Sequence, residues 1–135
     1  MKILIAEDDL ISRKFLLKFL SQYGECDIVV DGLEALDAFL YSLKAEDPYD
    51  LICLDVMMPK VDGIKVLKTI RDLEKQKGLL PEKRTKVIIT TALSETDFVN
   101  QAFDIGCEGF AAKPIDLQKF KEVLIKLDLL KEEEE

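Results

Sequence analysis

The sequence predicts a parallel α/β sheet with helices packed on both faces, and three observations carry that expectation. Apolar runs of strand length alternate with segments of helical spacing along the whole chain. The runs Leu51-Ile52-Cys53-Leu54 and Val87-Ile88-Ile89 are apolar without alternation, as strands covered on both faces must be. The length of 135 residues, with 48% hydrophobic content, suits one domain with a substantial core and leaves no room for a second.

Taken in order, Lys2 to Ala6 is the first strand, and Ile11 and Phe15 give the following segment its helical spacing, with Gly24 suited to a helix end. Asp27 to Val30 is the second strand. Asp31 with Glu34 forms a capping box that opens a helix carrying Leu36, Phe39, Leu40 and Leu43. Asp50 to Leu54 is the third strand; Met58, Pro59, Asp62 and Gly63 then turn the chain into a loop and a helix bearing Ile64, Leu67 and Ile70. Glu74 to Lys86, polar and containing Gly78 and Pro81, reads as a solvated loop with a frayed helix end. Lys86 to Thr91 is the fourth strand, followed by a second capping box, Ser94 with Asp97, and a helix with Phe98, Ala102 and Ile105 that ends at Gly106. Glu108 to Ala112 is the fifth strand, and Asp116 caps a last helix with Leu117, Phe120, Leu124 and Leu127.

Five β/α units in so short a chain make a doubly wound, flavodoxin-like fold in three layers. The general strand order for it, 2-1-3-4-5, sets strands 1 and 3 side by side at the switch point where ligands bind. Residues 1–130 are expected to form this domain, and 131–135 an acidic, disordered tail.

Composition removes several function classes. The net charge is −8, from 27 acidic and 19 basic residues, with half the excess in Glu132 to Glu135, which argues against a nucleic-acid surface. The chain has no histidine, so a phosphohistidine carrier, a Ser-His-Asp hydrolase and a His-ligated zinc enzyme are excluded. No apolar stretch approaches the roughly 20 residues needed to span a bilayer, and carboxylates follow the first strand too early for a signal peptide, so a cytoplasmic protein without membrane insertion is expected. Cys26, Cys53 and Cys107 lack metal-ligand spacing and read as reduced and structural; a reactive thiol at Cys107 is the alternative.

The chemistry gathers at strand ends. The apolar run Tyr49 to Leu54 ends in Asp55, and the first strand ends in Glu7, Asp8 and Asp9. Side by side, these carboxylates raise one another's pKa unless a cation compensates, which points to a divalent-metal site beside a candidate nucleophile. Asp9 reads as a helix N-terminal residue, favourable there through the helix dipole. Thr91, followed by Ala92, closes the fourth strand, and Lys113, followed by Pro114, closes the fifth.

These residues, with the motifs IAEDD, DGLEAL, DVMMPKVDG, TTA and GCEGFAAKP in order on the right elements, resemble the receiver domain of two-component response regulators over nearly the whole chain. The resemblance implies a phosphorylation-activated switch rather than a turnover enzyme, one that catalyses its own phosphoryl transfer and slow autodephosphorylation. The donor is a histidine kinase, a histidine phosphotransfer protein or a small acyl phosphate, and the acceptor Asp55 becomes an aspartyl phosphate. Asp8 and Asp55 are implied to bind Mg²⁺ directly, with Mn²⁺ as the alternative. Met57 adds its backbone carbonyl and Glu7 acts through a coordinated water. Lys113, the Thr91 hydroxyl and the Ala92 amide are implied to contact phosphoryl oxygens, and the Lys113-Pro114 bond to be cis.

The resemblance also makes Thr91 and Phe110 the switch pair, Phe110 being a core residue on the rival reading. It makes the face of helix four, strand five and helix five the surface for an unknown downstream protein. Met57 and Leu93 fall at the positions that tune phosphoaspartate lifetime, and neither side chain orients a water, so a long lifetime is expected. Two rivals remain. A degenerate receiver would act as a binding module without phosphorylation, whereas a haloacid-dehalogenase-type phosphatase would place a second aspartate where Met57 stands.

Overall fold

A computed structural model describes residues 1–92 and 96–132. Five strands, β1 (Lys2–Ala6), β2 (Glu25–Val29), β3 (Leu51–Asp55), β4 (Lys86–Thr91) and β5 (Gly109–Ala112), alternate with five helices, α1 (Leu10–Leu20), α2 (Gly32–Lys44), α3 (Gly63–Gln76), α4 (Thr96–Ile105) and α5 (Leu117–Lys126). All pairings are parallel and the order is β2-β1-β3-β4-β5, as the sequence predicts. Every residue of β3 is buried, and so is β4 after Lys86, which accounts for their unbroken apolar runs. Edge strand β2 is largely exposed.

Two cores flank the sheet. Leu4, Ile52, Leu54, Val87 and Ile89 pack against α2, α3 and α4 through Phe39, Leu67, Ile70 and Ala102. On the other face Ile3, Ile5, Cys53 and Ile88 pack against α1 and α5 through Leu16, Phe19, Leu20, Phe120 and Leu124. Each large side chain so buried contributes ~1.5–3 kcal/mol from removal of apolar surface from water.

Helix starts follow the sequence signals. Asp9, Asp31, Asp62 and Asp116 are N-caps, each carboxylate accepting from the backbone N–H three residues on. At Asp31 the Glu34 carboxylate also reaches back, but its Oε1 accepts from Val30 N at 3.0 Å, one residue before the cap, rather than from the cap's own N–H. The Ser94 with Asp97 box lies outside the described residues.

One expectation is refined and one corrected. The helical spacing of Ile11 and Phe15 does mark α1, but the side chains it buries are Leu16, Phe19 and Leu20, while Ile11 and Phe15 are 79% and 40% exposed. Helix α1 is apolar nearly all round, so its periodicity defines two stripes, and only docking on β1 and β2 selects one. The connection from Glu74 to Lys86 is not simply solvated. Glu74 is fully buried and Thr85 nearly so, because the Glu74 carboxylate accepts from Thr85 N at 2.8 Å and from Arg71 Nη1 at 2.7 Å.

Candidate functional site

The register Ala6↔Leu54 carries Glu7 and Asp55 off adjacent strand ends side by side, with Asp8 next to them. One carboxylate oxygen from each of Glu7, Asp8 and Asp55 lies within 4.8 Å of the others. Glu7 and Asp55 are buried, and Asp8 faces solvent. Lys113 spans the group: its ammonium pairs with Glu7 Oε1 and donates to Asp55 Oδ2 at 3.2 Å. The other Asp55 oxygen, Oδ1, accepts from the Met57 backbone N–H at 3.0 Å, so both oxygens of this carboxylate are held.

The electrostatics follow from crowding. Burial, then the neighbouring Asp55 carboxylate, pushes Glu7 from 4.5 up to about 8 against the pull of Lys113. Burial and Asp55 raise Asp8 as well. For Lys113, burial works downward, but its contacts with Glu7 and Asp55 outweigh that and raise its pKa, so the ammonium stays charged. Among the described residues Lys113 is the cation paired with this group of three carboxylates, through Glu7 and Asp55. Glu7 Oε2, fully buried, has no hydrogen-bond partner among the described residues. That shortfall of positive charge, and a donor set made only of hard carboxylate oxygens, fit a small divalent cation.

The structure brings the remaining predicted residues to the same end of the sheet. Thr91 is 4% exposed at the end of β4, its carbonyl accepting from Lys113 N at 2.7 Å, and Ala92 follows it on the surface. The Lys113-Pro114 peptide is cis. The Met57 side chain is 67% exposed and lies clear of the acid cluster's interior. Phe110 is not a core residue: it is 41% exposed on edge strand β5, edge-on to Phe103 of α4 with ring centroids 6.3 Å apart. Leu93 lies outside the described residues. Cys107 is buried, which pushes its thiol up to about 11 and leaves it inert.

Three features escaped sequence reasoning. The Arg13 guanidinium reaches back from α1 to the carbonyls of Glu7 and Asp8, at 3.2 and 3.3 Å, and braces the acidic loop. Its signal was a cation in the first turn of a helix, where the dipole disfavours one. Gly32 and Gly63 are required by close approach: a Cβ at Gly32 would lie 1.9 Å from Val61 O, and one at Gly63 would lie 2.4 Å from Asp55 O. The two Asp-Gly pairs therefore clamp the loop after Asp55 from both sides. Finally, Arg71 joins Glu74, Glu108 (2.9 Å to each oxygen) and the carbonyls of Thr85 and Gly106 in a buried cluster at the opposite end of β4 and β5.

A doubly wound sheet whose switch point gathers three carboxylates and a lysine is an acidic crevice with a donor set that fits a divalent cation. The family follows from comparison: residues 3–125 match the response regulator receiver domain, and the chain belongs to that family. It is 36% identical over 126 residues to the hybrid signal transduction histidine kinase L of Dictyostelium discoideum, covering 93% of this chain but only 7% of that protein. Among solved structures it resembles a chain of the CheX-CheY-BeF3-Mg complex of Borrelia burgdorferi (TM-score 0.80, 25% identity, 95% and 89% of the two chains). It also resembles a chain of the co-crystal of the Saccharomyces cerevisiae histidine phosphotransfer protein Ypd1 with the receiver domain of Ssk1 (TM-score 0.79, 25% identity, 98% and 93%). The chain is thus a receiver domain of two-component signalling, a signalling-switch family. None of its described helices is long and apolar enough to cross a membrane.

Proposed function

We propose that Asp55 accepts a phosphoryl group from a phosphohistidine, on a histidine kinase or a histidine phosphotransfer protein, in a Mg²⁺-dependent reaction. The observation that carries this reading is the Asp55 carboxylate held at both oxygens, by Lys113 and the Met57 amide, within reach of Glu7 and Asp8. An Asp55 oxygen bonds to phosphorus as the donor P–N bond breaks, and the imidazole nitrogen keeps the electron pair and then takes a proton. Asp8, Asp55 and the Met57 carbonyl, with Glu7 through a coordinated water, would hold Mg²⁺, which would neutralise phosphoryl charge there. Lys113 pairs with one phosphoryl oxygen, and the Thr91 hydroxyl and Ala92 amide bind others.

The donor must bring its imidazole into the crevice, and α1 starts within two residues of Asp8. The uncovered Leu10, Ile11 and Phe15 offer it apolar surface there. The added charge draws Thr91 inward and lets Phe110 leave its exposed position beside Phe103. A partner at α4, β5 and α5 reads that repacking. A groove of about 440 Å³ between β5 and α5, lined by Phe110, Ala112, Pro114, Lys119 and Val123, lies on this face. Incubation with acetyl phosphate and Mg²⁺, followed by intact mass measurement, tests the proposal. A labile adduct that EDTA prevents supports it; sustained turnover of acetyl phosphate without adduct indicates a phosphatase, and no modification indicates a binding module.

A further inference from the structure

Thr90 stands opposite Asp55 of β3 and Ala111 of β5 in the parallel register, and register partners project to the same face of a sheet. That face is set by Ile5, Cys53, Ile88 and Ala111, which pack toward α1 and α5. Counting in twos from these residues, Glu7, Asp55, Thr90 and Lys113 form one row at the carboxyl end, whereas Thr91, two residues after Ile89, faces the other layer. Strand β4 lies between β5 and β3, so Lys113, starting just past β5, crosses over β4 at the level of Thr90 to reach Asp55 and Glu7. Thr90 is 1% exposed, and its Oγ1 has no hydrogen-bond partner among the described residues. A buried hydroxyl left unpaired costs stability that a valine of the same shape would not, so its return must come in another state of the site.

We propose that Thr90 is a positioning residue for Lys113, its Oγ1 accepting a hydrogen bond from the ammonium once the Glu7 carboxylate turns to a bound cation. An ammonium has three donors and no acceptor; Glu7 and Asp55 take two of them, and loss of Glu7 leaves two to be satisfied. Rotation about χ1 exchanges Oγ1 and Cγ2 with no change in volume, which brings the hydroxyl under the crossing lysine. The lysine then stays aimed at the group on Asp55 instead of swinging to solvent. This inference rests on the phosphoacceptor reading and adds a second threonine on the face opposite Thr91.

The test is calorimetric titration of the intact protein with beryllofluoride in Mg²⁺. Wild type is compared with Thr90→Val, Thr90→Ser, Lys113→Ala and the Thr90→Val/Lys113→Ala double variant. Thr90→Val is expected to melt higher than wild type in EDTA yet bind about 10–150-fold more weakly, the worth of one charge-assisted hydrogen bond. Thr90→Ser keeps wild-type affinity, and Thr90→Val causes no further loss once Lys113 is gone. Unchanged affinity in Thr90→Val, or an equal loss with and without Lys113, overturns the inference. If Thr90→Val does not fold, Thr90→Cys carries the same comparison. Failure of wild type to bind overturns the acceptor reading itself, an outcome distinct from a silent Thr90.

Discussion

Raising the pH of the metal-free protein from 5 to 8 should destabilise it, with Glu7 as the main cause. Unfolded, this carboxyl titrates near 4.5; folded, burial and the Asp55 carboxylate hold it up to about 8. Below pH 4.5 both states carry the proton, but between 4.5 and 8 only the folded state does. The unfolded chain therefore binds fewer protons, stability falls as pH rises, and the limiting slope is about 1.4 kcal/mol per pH unit. The full shift corresponds to an upper bound of about 5 kcal/mol, and relaxation with water entry reduces this to ~2–3 kcal/mol. For a domain of this size that lowers Tm by about 8–12 °C. Asp8 and Glu108 are also raised, both first by burial, and act with the same sign. Asp9 and Asp31, whose pKa values are lowered by backbone hydrogen bonds from Ser12 and Glu34, lose their contribution only in acid below this window. With no histidine in the chain, nothing of that kind titrates between pH 5 and 8 to obscure the effect. Thermal melts in EDTA across this range measure the slope in wild type and in Glu7→Gln, where it should shrink. Stability that is flat or rising with pH in wild type, or an equal fall in Glu7→Gln, would show that Glu7 is not the group responsible.

Millimolar Mg²⁺ should raise Tm in wild type at pH 8, and Asp55→Asn should melt higher than wild type in EDTA, since one of three crowded carboxylates loses its charge; a wild-type Tm indifferent to Mg²⁺ counts against the assigned site. Arg71→Ala should cost ~3–5 kcal/mol in urea melts, because it strands Glu74 and Glu108 without their cation. A loss below ~1 kcal/mol would show that the cluster is worth no more than an exposed pair. Met57→Asn with Leu93→Glu should shorten the phosphoaspartate lifetime by supplying groups that orient water, and unchanged or slower decay contradicts the lifetime assignment.

The fold, apart from the bounds of edge strand β2, expected over Asp27 to Val30 and found over Glu25–Val29, was legible because the apolar runs and the helix caps have local physical reasons that agree. Asp55, Asp8, Thr91 and Lys113 were legible for the same cause: parallel order carries residues that follow strands to one edge. What stayed hidden depends on which of two equal local options tertiary contact selects. The apolar residues of α1 form two stripes, and Ile11 with Phe15 lost to Leu16, Phe19 and Leu20. Glu74 fell in a segment that reads as solvated, and Arg71 carried no local signal, because their partners, Thr85, Gly106 and Glu108, lie on other elements. Thr90 reads as a strand threonine beside the one expected to matter, and only the register shows that it shares Asp55's face.

On the function proposed, Asp55 itself carries the phosphoryl group. Borohydride reduction of the protein after incubation with acetyl phosphate and Mg²⁺ converts an aspartyl phosphate to homoserine, which peptide mass spectrometry then locates. Homoserine is expected at position 55 and at no other carboxylate, lost when EDTA replaces Mg²⁺. Homoserine at Asp8 or Asp9, or none in a protein whose melting responds to Mg²⁺, would contradict it.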